Sequence, residues 1–206
     1  MTDEKRPYRK KRRAELEART RLQITESAVA LHGTLGPAHT SISAIAEHAG
    51  VRRSTVYRHF PDETALFAAC SSHWRAANPV PDLARWKVVE QPDERLRAAL
   101  EELYAHYRRT ERMRENILRD EASMPLITKT LSGYRRYLAA AADVLMRGRG
   151  LRGGAAKRVR AAVGHALAFT TWQSLAREQG LEDRHAADLM CRLVASAAAS
   201  PEATRR

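Results

Sequence analysis

An all-α fold in two parts is what this sequence predicts, and three observations carry the expectation. Between residues 40 and 66, in TSISAIAEHAGVRRSTVYRHFPDETAL, two short helical segments meet at a glycine. Beyond the proline pair in Asn78-Pro79-Val80-Pro81, apolar residues recur at helical spacing to the end of the chain. Alanine is abundant, and neither an alternating strand pattern nor a repeat competes with the helical reading.

The first segment, 1–13, is polar and basic, as expected of a flexible arm. It reads either as a solubilising tail or as an arm that follows a DNA backbone. A first helix is predicted over 14–32, ended by Gly33, Gly36 and Pro37. Thr40 or Ser41 then caps a second helix, whose Ile42, Ile45, Ala46 and Ala49 face one way. Gly50 permits the positive φ with which a chain leaves a helix at low cost, and Val51 anchors the turn. A third helix over 53–59 stops before Pro61, and Arg52, Arg53, Ser54, Thr55, Tyr57, Arg58 and His59 are placed on its surface. Asp62 caps a fourth helix that turns Leu66, Phe67 and Cys70 inward. Two helices joined in this way form a helix-turn-helix, and the second is dense in donors for phosphates and base edges. With Thr40 and Ser41 at the helix start, these residues form the candidate DNA-binding set. Tyr57 and His59 are assigned to the backbone, and Arg53 or Thr55 to bases.

The same residues carry a family resemblance. Thr40, Ile45-Ala46, Ala49-Gly50-Val51, Thr55-Val56-Tyr57, His59-Phe60 and Leu66 resemble the N-terminal signature of TetR-type transcriptional regulators. Arg21, Ile24, Ser27, Ala28 and Leu31 stand where that family places the packing face of its first helix. Two positions depart. Glu63 stands where the family commonly has a phosphate-approaching Lys, and His32 where an aromatic such as Phe is usual. The resemblance implies nine helices, three in the reading head and six beyond. It also implies an effector pocket among helices five to eight and an intermolecular bundle of the last two. The expected segments are a basic arm over 1–13, a helix-turn-helix domain over 14–61, a connecting helix over 62–78 and a ligand-binding and dimerisation domain over 79–200.

In the larger part, Leu96, Leu100, Leu103 and Tyr107 form one stripe (helix five), and a separate helix six is predicted from Met113 to Asp120. Ser123 and Pro125 open helix seven, with Ile127, Leu131, Tyr134, Leu138 and Leu145 on a face. Glycines 148, 150, 153 and 154 break the chain before helix eight, over 155–179, and helix nine, over 183–199. Residues 161–172, AAVGHALAFTTW, contain no Asp, Glu, Lys or Arg, so that helix should be buried on two sides. A homodimer through helices eight and nine meets that need, and it gives two recognition helices for a palindromic operator. Tyr104, Tyr107, Tyr134, Phe169 and Trp172 are the candidate ligand-binding residues, beside Met113, Met124, Tyr137, His165 and Gln173. Aromatics and Met with a few polar tips suit a small lipophilic or aromatic molecule, and equally suit a plain core. His165 reads as a core histidine bonded internally, ahead of a ligand contact or a metal ligand. Arg147, Arg149, Arg152, Lys157, Arg158 and Arg160 read as a solvated charge run.

Composition narrows the class. A formal charge of +12 suits a polyanionic partner, and Lys5, Arg6, Arg9, Lys10, Lys11, Arg12, Arg13, Arg19 and Arg21 concentrate it at one end. No apolar run reaches the roughly 18 residues of a membrane span, and the basic N-terminus has no apolar run behind it, so it does not read as a secretory signal. Cys70 and Cys191 stand apart and read as reduced thiols of a cytoplasmic protein. No phosphate-cradling glycine loop, metal-spaced cluster or nucleophile elbow is present, so an enzyme, a cofactor and a metal are not expected. The expectation is a DNA-binding regulator, a repressor released by a small molecule. The alternative is a constitutive or architectural DNA binder with no effector.

Overall fold

The computed structural model describes residues 5–199. Residues 1–4 of the expected arm, and Ser200 at the end of the expected C-terminal domain, lie outside them. Ten α-helices follow in order, with no strand among the described residues: α1 Lys5–Thr34, α2 Ile42–His48, α3 Arg53–His59, α4 Glu63–Ala77, α5 Leu83–Lys87, α6 Pro92–Asp120, α7 Pro125–Met146, α8 Gly153–Ala166, α9 Phe169–Gln173 and α10 Asp183–Ala199. A 3-10 turn, Pro37–His39, precedes α2, and a π turn, Ser174–Glu178, continues α9. The described chain divides into two compact units, residues 5–79 with 112–130 and residues 80–111 with 131–199. Helices α6 and α7 each contribute to both.

Four elements differ from the sequence expectation. Helix α1 starts at Lys5, within the basic segment expected to be unstructured. A short α5 stands after the proline pair, where none was predicted; the Asp82 carboxylate accepts from the Ala84 N–H at 2.8 Å to cap it, and it buries Trp86. Helices five and six are one helix, α6. The charged run Arg108–Arg112 reads as a gap, yet no breaker residue interrupts it, and ion pairs hold its outer face: Arg108 to Asp183 at 2.7 Å and Arg177 to Glu111. Conversely, the predicted helix over 155–179 is broken. Ala168 is extended, with φ −73° and ψ 137°. The break frees carbonyls that tyrosines satisfy: Tyr104 donates its hydroxyl proton to Ala166 O at 2.9 Å, and Tyr107 to Leu167 O at 2.6 Å. No local signal marks this position, because the partners are distant in sequence.

In the first unit, α1 packs on α4 and α2. Its core holds Ile24, Ala28, Ile45, Ala49, Val56, Phe60, Leu66, Phe67 and Cys70. The end of α6 holds the loop after α1. Asn116 donates to the His32 and Gly33 carbonyls at 3.0 Å, Arg119 donates to Leu35 O at 2.8 Å, and Asp120 accepts from the Ala38 N–H at 3.0 Å. Burial raises the Asp120 pKa, but the Arg119 and Ala38 hydrogen bonds and the Arg119 charge outweigh it and bring it below the ordinary value. Gly36, at φ +95°, crosses this knot where a Cβ would strike Arg119 and Asp120.

In the second unit, α8 packs on α10 over a core that includes Leu96, Leu100, Leu103, Leu145, Val159, Val163 and Val194. Arg95 is buried there and serves as a cap. Its guanidinium donates to Val89 O and Glu90 O at 2.8 Å, and to Val144 O at 3.1 Å and Arg147 O at 2.8 Å at the end of α7. A cation at a helix C-terminus also complements the helix dipole. Arg149, within the expected solvated charge run, bonds Leu145 O at 2.9 Å and Asp93 at 2.9 Å, so it is a structural residue.

Candidate nucleic-acid interface and aromatic cluster

The geometry of the head follows from the turn. Gly50 takes φ +62°, and the Val51 N–H then closes on Ala46 O at 2.9 Å, with Val51 half-buried. Arg52 is extended at the N-cap of α3, and Phe60 ends it at φ −135°, ahead of Pro61. Only Val56 of α3 is buried. Arg52, Arg53, Ser54, Tyr57 and Arg58 are exposed, and Thr55 and His59 are half-buried. The seven-residue set expected on this surface is thus one continuous polar face carrying three arginines.

Several side chains are already oriented. Arg53 donates to the Tyr57 hydroxyl at 3.2 Å, and its guanidinium lies 5.6 Å from the ring centroid. Ser41 caps α2, its hydroxyl oxygen accepting from the Ala44 N–H at 3.1 Å. The Thr40 hydroxyl donates to Gly36 O at 2.7 Å and so fixes the approach to that cap. Burial, then the charges of Arg58 and Arg21, lower the His59 pKa, so this ring is neutral at neutral pH. Its Nε2 is shielded from solvent and has no hydrogen-bond partner among the described residues. Asp62 caps α4 by accepting from the Ala65 N–H at 2.7 Å, and Glu63 is exposed in its first turn.

Two residues of α1 hold this motif from behind. Gln23 donates to Ala49 O at 2.8 Å, at the turn. Arg21 donates to His59 O, the last carbonyl of α3, and lies 4.0 Å from the Phe60 ring centroid. Gln23 had no sequence signal. Arg21 had one, a basic residue on an otherwise packing face.

Residues 24–70 match the family model described as bacterial regulatory proteins, tetR family. This segment is similar to the N-terminal domain of the TetR family. The described chain has the TetR-like fold. It resembles a TetR-like transcriptional regulator from Rhodococcus sp. RHA1, with a TM-score of 0.66 and 23% identity over 88% of this chain and 97% of that one. It also resembles the fatty acid degradation regulator FadR from Bacillus halodurans (TM-score 0.57, 15% identity, 84% and 93% covered). A third is the transcriptional regulator FadR from Bacillus subtilis in complex with stearoyl-CoA (TM-score 0.55, 16% identity, 85% and 98% covered). No curated protein matches the chain. The description of the matched family is of bacterial regulatory proteins. No described helix is long and apolar enough to cross a membrane.

The second unit gathers the five candidate ligand residues. Tyr104, Tyr107, Phe169 and Trp172 are buried and Tyr134 is half-buried. Ring centroids lie 5.3 Å apart for Tyr107 and Phe169, 5.5 Å for Phe169 and Trp172, and 6.0 Å for Tyr107 and Trp172. Their polar tips meet inside the protein. The Tyr107 and Tyr134 hydroxyls are 2.8 Å apart, and the Trp172 N–H donates to Asp183 at 2.8 Å. Burial raises the Tyr104 pKa, which keeps that hydroxyl a donor. Arg108 and Arg177 lie 5.9 and 5.4 Å from the Trp172 ring centroid, each paired with its carboxylate. Met113 and Met124, placed beside these residues by the sequence, belong to the first unit. His165 is exposed, with Thr171 Oγ1 3.3 Å from its Nδ1, so the core placement expected for it is not what forms.

Proposed function

We propose that this protein is a homodimeric, sequence-specific repressor that binds a palindromic operator in the cytoplasm and is released by a small lipophilic ligand. One observation carries the DNA half: α3 exposes Arg52, Arg53, Ser54, Tyr57 and Arg58 on one face while Val56 anchors its back. Phosphate contacts position such a helix and base contacts specify the site. Two copies about 34–36 Å apart would read two half-sites. The dimer rests on α8 and α10, where Ala161, Gly164 and His165 on one helix and Leu189 and Leu193 on the other are exposed in the single chain. Selection of binding sites from a random duplex pool tests this reading. A twofold-symmetric site is expected, and recovery of no preferred sequence would exclude a specific repressor.

The ligand half rests on the aromatic cluster beside a broken helix. The Bacillus subtilis neighbour, whose structure holds stearoyl-CoA, supports a lipophilic chain as the occupant. Entry would displace the Tyr104 and Tyr107 hydroxyls from the Ala166 and Leu167 carbonyls, and the ligand need only favour one of two arrangements of the helices. A constitutive DNA binder is the second reading. It is favoured by the full burial and internal hydrogen bonding of those same rings. Titration of the DNA complex with stearoyl-CoA and with free fatty acid separates the two. Release accompanied by a change in tryptophan fluorescence that Trp172→Phe removes supports the effector; no release and no change support the constitutive binder.

A further inference from the structure

The first helix extends well past the unit it packs in. From Tyr8 to Arg19 every residue of α1 is exposed. Packing begins only at half-buried Thr20, and Ile24 is the first fully buried residue. The helix is therefore carried into solvent by continuity with its packed half, which supplies the nucleus that an isolated segment lacks. Its charges work against it. Arg9, Lys10, Lys11, Arg12 and Arg13 are consecutive, and like charges at helical spacing repel. Glu17 is neutralised by Arg13, at 3.0 Å. Among the described residues, none of Arg9, Lys10, Lys11 and Arg12 pairs with a carboxylate.

The position of this segment is set by Arg21. That residue bonds His59 O at the C-terminal end of the recognition helix and lies over Phe60. The extension thus departs from the end of the very helix assigned to the major groove. At 1.5 Å per residue, Arg9 stands about 18 Å along the axis from Arg21. That is about half a turn of duplex. A basic helix of that reach, exposed and with no carboxylate partner for Arg9, Lys10, Lys11 and Arg12 among the described residues, matches the phosphate ladder in both sign and length.

We propose that the exposed first turns of α1, through Arg9, Lys10, Lys11 and Arg12, form a second DNA-binding element that grips backbone phosphates flanking the site read by α3. This rests on the DNA-binding reading and adds an element to it. The grip is sequence-independent, so it lengthens the footprint without altering the half-site.

The test compares the full-length wild type with a variant in which Arg9, Lys10, Lys11 and Arg12 are all replaced by Ala. Each is measured on the selected site in a long duplex and in a duplex trimmed to the site. Alanine is the better helix former, so circular dichroism should show the helix retained. The wild type should prefer the long duplex. The variant should lose that preference, bind the long duplex at least about tenfold more weakly, and select the same sequence. Its log K against log salt should be shallower by about 0.9 for each phosphate the protein no longer neutralises. An unchanged salt slope and an unchanged flank preference would overturn the proposal and leave a solubilising tail. Wild-type protein that binds no duplex would instead overturn the DNA-binding reading itself.

Discussion

In the proposed DNA complex, recognition would rest in part on the pair Arg53 and Tyr57. The hydrogen bond between them holds the guanidinium at the head of α3 before any DNA arrives. Replacing Arg53 by Ala should cost about 1–3 kcal/mol on the selected site and relax one base position. Replacing Tyr57 by Phe separates two roles: equal weakening on specific and random duplex marks a phosphate contact, whereas loss at Arg53's base alone marks a positioning role. His32 makes a second residue-scale prediction. It is packed in the core, its ring 5.7 Å from Phe67, and burial lowers its pKa from 6.5 to about 4 against the raising charge of Asp120. Cys70 lies beside it, its thiol pushed up to about 11 by burial and therefore protonated. A buried neutral histidine favours folding above pH 6.5. As pH falls from 6.5 towards 4 the unfolded chain takes the proton first, so stability declines across that window. The loss should reach about 3 kcal/mol by pH 4. Denaturant unfolding at a series of pH values should show it in the wild type and not in His32→Phe, where an aromatic of similar shape carries no proton.

Among the elements, α6 and the broken helix after it were the hardest to foresee. The stripe of Leu96, Leu100, Leu103 and Tyr107 was legible, since its spacing is that of one helix face. The join of that stripe to Asn116 and Asp120 was not, because a run of charges on an exposed face looks the same as a linker. The break at Ala168 is visible only once Tyr104 and Tyr107 are seen to take up the freed carbonyls. Arg95 marks the same limit, a charged residue whose partners are four carbonyls from two separate stretches of chain. Replacing it by Ala should leave those carbonyls unpaired at the end of α7 and destabilise the protein by about 3 kcal/mol or more. Chemical denaturation would register this as a lower midpoint with an unchanged m-value; a midpoint within error of wild type would mean that water satisfies the site.

At the scale of the whole molecule, the apolar stretch over 161–172 made dimerisation an expectation, and exposed Leu189 and Leu193 on α10 extend the same surface. Leu193→Glu places a charge there and should produce monomers that lose operator binding by about 100-fold, since a single recognition helix reads half a site. Sedimentation and DNA titration of the same preparation check both effects together. A variant that remains dimeric would move the interface elsewhere.

The sequence by itself determined the reading head. The starts of α2, α3 and α4, the Gly50 turn, the α3 boundaries and the identity of the exposed donors are local properties, governed by capping, φ preference and spacing within a few residues. It determined also that Phe67 and Tyr107 would be buried, because apolar periodicity reports a face, whereas buried Trp86 carried no such pattern. Tertiary structure alone decided which distant polar groups satisfy each other: Arg21 on the last carbonyl of α3, Gln23 on the turn, Asn116 and Asp120 on the loop after α1, and tyrosine hydroxyls on the broken helix. The difference is physical. A helix is closed by bonds four residues apart and leaves its mark in the sequence. A buried donor must find its acceptor wherever packing brings one, and no spacing encodes that choice.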